Sequence, residues 1–278
     1  MTLVLDGEKP QKEIAEKLRK GVGELSKPPS LIIFSVDPDR ESLLYIEKKK
    51  KFGAEVGCVV EHVSLDPSSS IEDNKRRIEE KNEDSGVDGM IVQLPVTPRS
   101  FTAEILNSVE PSKDVDGLSD LNTSALFRGE ERIIPATTRG ILEMLDFYNL
   151  SVKGKKVVIV GRSMLVGRPT AMAFINREAT VSICHRGTPD LVQEVFSADV
   201  VVSATGKPGI ISSKMMHSEQ IILDVGISVG DDGSIRGDVD IDDALKVVKA
   251  VSPVPGGIGP LTVASLFLNL LESIERRN

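Results

Sequence analysis

Residues 155–169, KKVVIVGRSMLVGRP, constrain the fold more than any other stretch of this sequence. The apolar run Val157 to Val160 follows two lysines and reads as a short strand buried on both faces. It stops at Gly161. A polar turn leads to Gly167, Pro169 and the helix-compatible stretch TAMAFINRE at 170–178. Strand, glycine turn and helix start present backbone N–H groups and the positive end of a helix to a phosphate. The glycines depart from G-x-G-x-x-G, with Ser163 where the second would stand, so the turn alone leaves an ordinary strand-to-helix connection open.

The next strand-like run, 179–184, ends in His185-Arg186. An NAD site usually carries an acidic residue about 20 residues past the glycine turn, to hold the ribose 2′-hydroxyl. Here that position is basic, and Arg162 sits in the turn itself. Two guanidinium forks suit a 2′-phosphate, so NADP is the expected cofactor and NAD the less expected one.

The chain of 278 residues is long enough for two domains, and 40% hydrophobic residues fit a globular protein. A net charge of −8 argues against a nucleic-acid surface. No run approaches the roughly 18 apolar residues that span a membrane. MTLVLDGEKPQKE shows no secretory signal, so a cytoplasmic location is expected. Cys58 and Cys184 read as buried free thiols. His62, His185 and His217 lie far apart and form no ligand cluster, so no metal is expected.

Apolar periodicity alternates between helix and strand. Ile14, Leu18 and Val22 mark one face of a helix over 9–25, and strands are expected at 31–36, 58–65 and 89–94. Charged helical stretches at 40–56 and 70–84 lie between them. Residues 110–135 read as turns, and a helix is expected over 138–149. Further strands are expected at 157–160, 181–184, 200–205, 221–226 and 247–252. This alternation predicts an α/β fold with largely parallel sheets. The tail, 261–277, is an amphipathic helix with a wide apolar stripe that must dock on something. The expected division is 1–137 plus 261–278 as one domain and 138–260 as a dinucleotide-binding domain, with a cleft between them.

Chemistry is concentrated in a few places. On the helix 40–56, Tyr45 and Lys49 are four apart and share a face, with Lys48 near. A phenol beside an amine is an acid–base pair if the lysine is kept partly neutral, although a run of lysines also suits a solvated face. Gln93 ends a strand at the edge where parallel sheets bind ligands. Asp114 and Asp116 are two apart, either as ligand carboxylates or as an Asx turn. Residues 253–260, PVPGGIGP, suit close backbone approach or a hinge. Short-chain dehydrogenases also use Tyr-x-x-x-Lys, but with the nucleotide turn first, the reverse of the order here.

Eight segments occur in one order along nearly the whole chain: S-x-x-Y-x-x-x-K-x-K (Ser42, Tyr45, Lys49, Lys51), VQLP (92–95), KDVDG (113–117), GRSxxVGxP (161–169), CH (184–185), DVGI (224–227), GDVD (237–240) and PVPGGIGP (253–260). Together they resemble the bifunctional methylenetetrahydrofolate dehydrogenase/cyclohydrolase family. The resemblance implies a folate-binding catalytic domain and a Rossmann-like NAD(P) domain in a homodimer of one-carbon metabolism and purine biosynthesis. It implies oxidation of 5,10-methylenetetrahydrofolate with NADP⁺ and hydrolysis of the methenyl product to 10-formyltetrahydrofolate. Lys49 matches the family's essential lysine and Tyr45 its neighbour against the folate. Gln93 matches the amide touching that lysine, and Asp116 the carboxylate holding the pterin. Val92, Leu94, Pro255, Gly256 and Gly257 are the further substrate contacts. Thr137, Gly161, Arg162, Ser163, Gly167, Arg186 and Ile227 are the cofactor contacts.

Three positions depart from the family pattern: Ala136 and Thr138, where Cys and Pro are common, and Arg186, where serine is common. Thr138 is expected to loosen the connection between domains. An oxidoreductase acting on another small substrate, or a non-catalytic dinucleotide sensor, stays open on the residues alone.

Overall fold

The computed structural model describes residues 1–130, 132–230 and 233–277. The chain opens with strand β1 (Leu3–Val4) and helix α1 (Glu8–Gly23). Next come β2 (Ser30–Val36), α2 (Arg40–Glu55), β3 (Val59–Leu65), α3 (Ile71–Glu83) and β4 (Gly89–Gln93). Helices α4 (Thr102–Asn107), α5 (Asp120–Phe127) and α6 (Ala136–Phe147) follow. The second alternation is β5 (Lys156–Val160), α7 (Gly167–Asn176), β6 (Thr180–Cys184), α8 (Leu191–Phe196), β7 (Val200–Ser203) and β8 (Ile221–Asp224). The chain continues through β9 (Ser228–Val229), β10 (Ile235–Arg236), α9 (Ile241–Val247), β11 (Ala250–Val251) and α10 (Ile258–Arg277).

These elements form two compact units. One comprises Met1–Gln11 and Thr137–Thr262, the other Lys12–Ala136 and Val263–Asn278. The first holds a six-stranded sheet in the order β1-β11-β8-β7-β5-β6, every neighbouring pair parallel. From β5 the chain moves outward to the edge strand β6, then returns to the other side of β5 as β7. That reversal opens a crevice at the carboxyl ends of β5 and β7, the usual ligand position in such sheets. Val157 to Val160 and Val200 to Val202 are all buried, as strands covered on both faces require. Each such side chain contributes about 1.5–3 kcal/mol of burial.

The second unit is built on a smaller parallel sheet, order β3-β2-β4. Its core gathers Ile32, Phe34, Ile78, Met90 and Val92. Phe267 of α10 meets Phe52 of α2 with ring centroids 5.5 Å apart. Helix α10 is long and apolar enough to cross a membrane by length and composition, and its most apolar stretch tests that reading. That stretch is 67% buried within the protein, the mark of a core helix.

The structure corrects several expectations. Residues 1–11, expected with the catalytic domain, belong to the six-stranded unit. Leu3 N and Leu5 N donate to Lys249 O and Val251 O, both at 2.9 Å, so β1 adds an edge strand to β11. The expected strand at 247–252 shrinks to Ala250–Val251, because α9 runs to Val247. The turn-rich stretch 110–135 contains α5, started by Ser119, whose side chain accepts from Asn122 N. Thr138 is fully buried, with its hydroxyl 3.0 Å from Thr170 Oγ1 on α7.

Candidate active site

Helix α2 explains how one lysine of four becomes special. Asp39 caps it, accepting from Ser42 N at 2.7 Å. Its buried positions are Ser42, Ile46, Lys49, Phe52 and Gly53, spaced along one helical face. Lys49 therefore stands where the pattern asks for an apolar residue, while Lys48 and Lys51 point to solvent. Its Nζ donates to Gln93 Oε1 at 2.7 Å, at the end of β4. Gln93 Nε2 in turn donates to Leu94 O at 3.0 Å, which fixes the amide's orientation. Tyr45, half-buried one turn before Lys49, has the Lys48 ammonium 5.0 Å from its ring centroid.

The KDVDG segment runs beside β4. Met90 N donates to Lys113 O at 2.6 Å and Val115 N to Met90 O at 3.2 Å. Each charged residue in it has a separate task. Lys113 Nζ donates to the carbonyls of Asn82 at 2.7 Å and Asp84 at 2.9 Å, closing the C-terminal end of α3. Asp114 accepts from Gly117 N at 3.0 Å, Ser119 N at 2.8 Å and Asn122 Nδ2 at 3.0 Å, so it builds the turn. The Asp116 carboxylate has no hydrogen-bond partner among the described residues.

Electrostatics follow from this burial. Desolvation holds the Lys49 amine below the usual lysine range, while the charge of Asp116 pulls it back up. Burial likewise pushes Asp116 up to about 6, against the downward pull of Lys49. Desolvation and the charge of Glu41 raise the Tyr45 phenol. The group combines an amine that burial makes readier to give up its proton, an amide that orients it, and a carboxylate without a hydrogen-bond partner among the described residues. That set can move a proton and hold a planar heterocycle.

Val92 and Leu94 flank Gln93 differently. Val92 is packed in the core, which leaves only its backbone for a ligand, whereas Leu94 is half-buried. The loop Pro255–Gly257 lies in the six-stranded unit, where Gly7 N donates to Gly256 O at 2.8 Å.

Of the expected nucleotide residues, Gly161, Arg162 and Ser163 follow the carboxyl end of β5, Gly167 opens α7, and Arg186 and Ile227 follow β6 and β8. Gly161 has φ +127°, and a Cβ there would lie 2.4 Å from Ala204 O, so only glycine fits. Ser163 Oγ accepts from Val166 N at 3.1 Å and Gly167 N at 3.3 Å, ordering the turn into α7. The N–H groups of Arg162 and Ser163 have no protein acceptor among the described residues. The guanidinium groups of Arg162 and Arg186 are exposed and likewise unpartnered there. Free donors and cations around a helix start fit a phosphate-bearing nucleotide. Thr137 lies in the first turn of α6, and Ile227 is 38% exposed in the loop after β8.

Sequence reasoning missed the support behind Asp116. Asn269, buried on α10, donates to Val115 O at 2.8 Å and Ile134 O at 2.9 Å. Ser273 on the same helix donates to Ser112 O, and Ala136 N donates to Asp116 O at 3.2 Å. A polar Asn within the apolar stripe of the last helix was the available signal.

The catalytic-domain model of the tetrahydrofolate dehydrogenase/cyclohydrolase family matches residues 5–116, and its NAD(P)-binding-domain model matches 135–278. The bifunctional protein FolD of Hydrogenobaculum sp. is 38% identical over 99% of this chain and 99% of its own length. The crystal structure of the bifunctional FolD enzyme from Campylobacter jejuni matches with a TM-score of 0.97 at 34% identity, covering 100% of both chains. The Trypanosoma brucei methylenetetrahydrofolate dehydrogenase-cyclohydrolase, solved with NADP and an inhibitor, matches with a TM-score of 0.93 at 30% identity, covering 99% of this chain and 98% of its own. By fold, motif and sequence, the chain belongs to the tetrahydrofolate dehydrogenase/cyclohydrolase family.

Proposed function

We infer that the protein oxidises 5,10-methylenetetrahydrofolate to the methenyl cation with NADP⁺, then hydrolyses that cation to 10-formyltetrahydrofolate. One observation carries the reading most directly: the buried Lys49 amine held 2.7 Å from the Gln93 amide oxygen. An amide acceptor orients the amine without fixing a positive charge, as a carboxylate would. A cationic folate beside it disfavours the ammonium form further. The neutral amine can then take a proton from the water that adds to the methenyl carbon. Asp116 accepts the paired N–H donors of the pterin edge, and Tyr45 lies against the folate. NADP⁺ supplies the hydride acceptor. Arg162 and Arg186 recognise its 2′-phosphate, and the turn Gly161 to Ser163, with Gly167 behind it, offers backbone donors. Thr137 and Ile227 complete the nucleotide contacts, and Pro255–Gly257 add backbone contacts to the folate.

The family resemblance supports a cytoplasmic homodimer whose product serves purine biosynthesis. The acidic balance of −8 fits the absence of a nucleic-acid partner.

The test follows reduced cofactor and methenyl product separately, with methylenetetrahydrofolate and either NADP⁺ or NAD⁺. Lys49→Met should abolish the cyclohydrolase and lower the dehydrogenase severely, with nucleotide affinity little changed. Loss of nucleotide affinity in that variant would remove Lys49 from the proposed role. Absence of turnover in the unmodified protein with both cofactors would favour another substrate.

A further inference from the structure

Two fully buried carboxylates lie outside the lysine site, in the loops at the carboxyl end of the six-stranded sheet. Asp238, in the segment after β10, is 0% exposed. Its Oδ2 accepts from Ser203 Oγ at 2.7 Å, Thr205 N at 2.7 Å and Thr205 Oγ1 at 2.9 Å, and its Oδ1 from Lys207 N at 2.7 Å. Asp224, at the end of β8, accepts from Gly226 N at 3.0 Å, Asp238 N at 3.1 Å and Val239 N at 2.9 Å. The packing leaves no slack. A Cβ on Gly226 would lie 2.1 Å from the Asp238 carboxyl, and one on Gly237 would lie 2.0 Å from Asp224 Oδ2.

Burying carboxylates is costly, so their placement asks for a reason. The segment that Asp238 gathers, 203–207, leaves the carboxyl end of β7 and walls the crevice beside Gly161, where an added Cβ would lie 2.4 Å from Ala204 O. Ala204 N donates to Val160 O at 2.8 Å, and Val225 N donates to Ser203 O at 2.8 Å. The carbonyl of Ile227 lies near Gly206. The turn after β5, the loop after β7 and the loop after β8 are thus tied side by side. Asp238 makes four of the bonds that hold the middle one. Resting on the function inferred above, we propose that Asp238, seated by Asp224, is a positioning residue of the dehydrogenase reaction, fixing the 203–207 wall against which the dinucleotide binds. It touches neither substrate nor cofactor.

Asp238→Asn keeps the shape but sets an NH2 donor against the backbone N–H of Lys207 or of Thr205, whichever way the amide turns. The Michaelis constant for NADP⁺ should rise and dehydrogenase kcat/KM should fall by about tenfold to a hundredfold, the range expected of small misplacements. Cyclohydrolase activity, assayed on added methenyl substrate, should stay within about twofold, since Lys49, Gln93 and Asp116 belong to the other unit. Thr205 is exposed, so Thr205→Val tests the same bond set at a surface position; it removes the hydroxyl's bond to Asp238 and the one it accepts from Lys207 N, and should raise the NADP⁺ constant by about three- to tenfold. Direct titration of NADP⁺ into each variant checks the kinetic values. Parallel loss of both activities, or an unchanged NADP⁺ constant in both variants, overturns the positioning role. Failure of the unmodified protein in either assay would instead overturn the underlying function.

Discussion

Lys49 occupies a place on α2 that its neighbours Ile46 and Phe52 define as apolar, and the burial of its amine follows from that mismatch. The residue was legible as a candidate but not as buried, since four consecutive lysines conceal which one the helix turns inward. Asp114 and Asp116 were equally ambiguous. Only the donors converging on Asp114 separate the turn builder from the free carboxylate. That freedom has a cost that pH exposes. Asp116 is raised from an ordinary 3.8 to about 6, so the folded chain holds its proton more tightly than the unfolded chain does. Stability therefore falls as pH rises between those values, and the loss is complete above about 6. Asp116→Asn should remove it, gaining about 1–3 kcal/mol at pH 7.5 but little at pH 4, read from urea denaturation at both. The same variant should lose about tenfold to a hundredfold in kcat/KM for folate, the worth of a hydrogen bond to a charged group. A stability gain independent of pH would contradict the burial argument. At the nucleotide site, replacing Arg162 and Arg186 by alanine should lower the preference for NADP⁺ over NAD⁺ by about tenfold or more. Equal losses with both cofactors would place those arginines on the pyrophosphate instead.

Elements were read well where their period was long. The strands β2, β4 and β5 and the helices α2, α3 and α10 fall within a few residues of expectation, because buried parallel strands and wide apolar stripes are strong patterns. Short elements were missed. A two-residue strand such as β1 has no period, and its identity comes from a partner far along the chain. Helix α5 hid in a polar stretch whose start is set by one serine cap. Helix α10 was foreseen as amphipathic, but not its task of holding the Asp116 loop through Asn269. Asn269→Ala would leave the Val115 and Ile134 carbonyls without that donor, at a cost of about 1–3 kcal/mol. Thermal unfolding should show the loss, and the Michaelis constant for folate should rise with it. A destabilised variant with an unchanged folate constant would make Asn269 a packing residue only.

At the scale of the molecule, the α/β class and two-domain organisation were legible from alternation and motif order, because each domain repeats one pattern. The ownership of residues 1–11 was not, since it depends on an edge pairing rather than on composition. The chain crosses between units after Gln11, Ala136 and Thr262, so neither unit is one continuous stretch. A polypeptide ending at residue 262 lacks Phe267 and Asn269, and its three-stranded unit should be rapidly cleaved by protease. Protection equal to that of the longer chain would show that the unit closes without α10. The interleaving also bears on biosynthesis. A ribosome delivers Lys49, Gln93 and Asp116 well before the helix that braces the aspartate loop. Nascent chains must therefore wait, with a half-made pocket, until translation has passed the final crossing, and pausing before it would extend the interval in which chaperones meet exposed apolar surface.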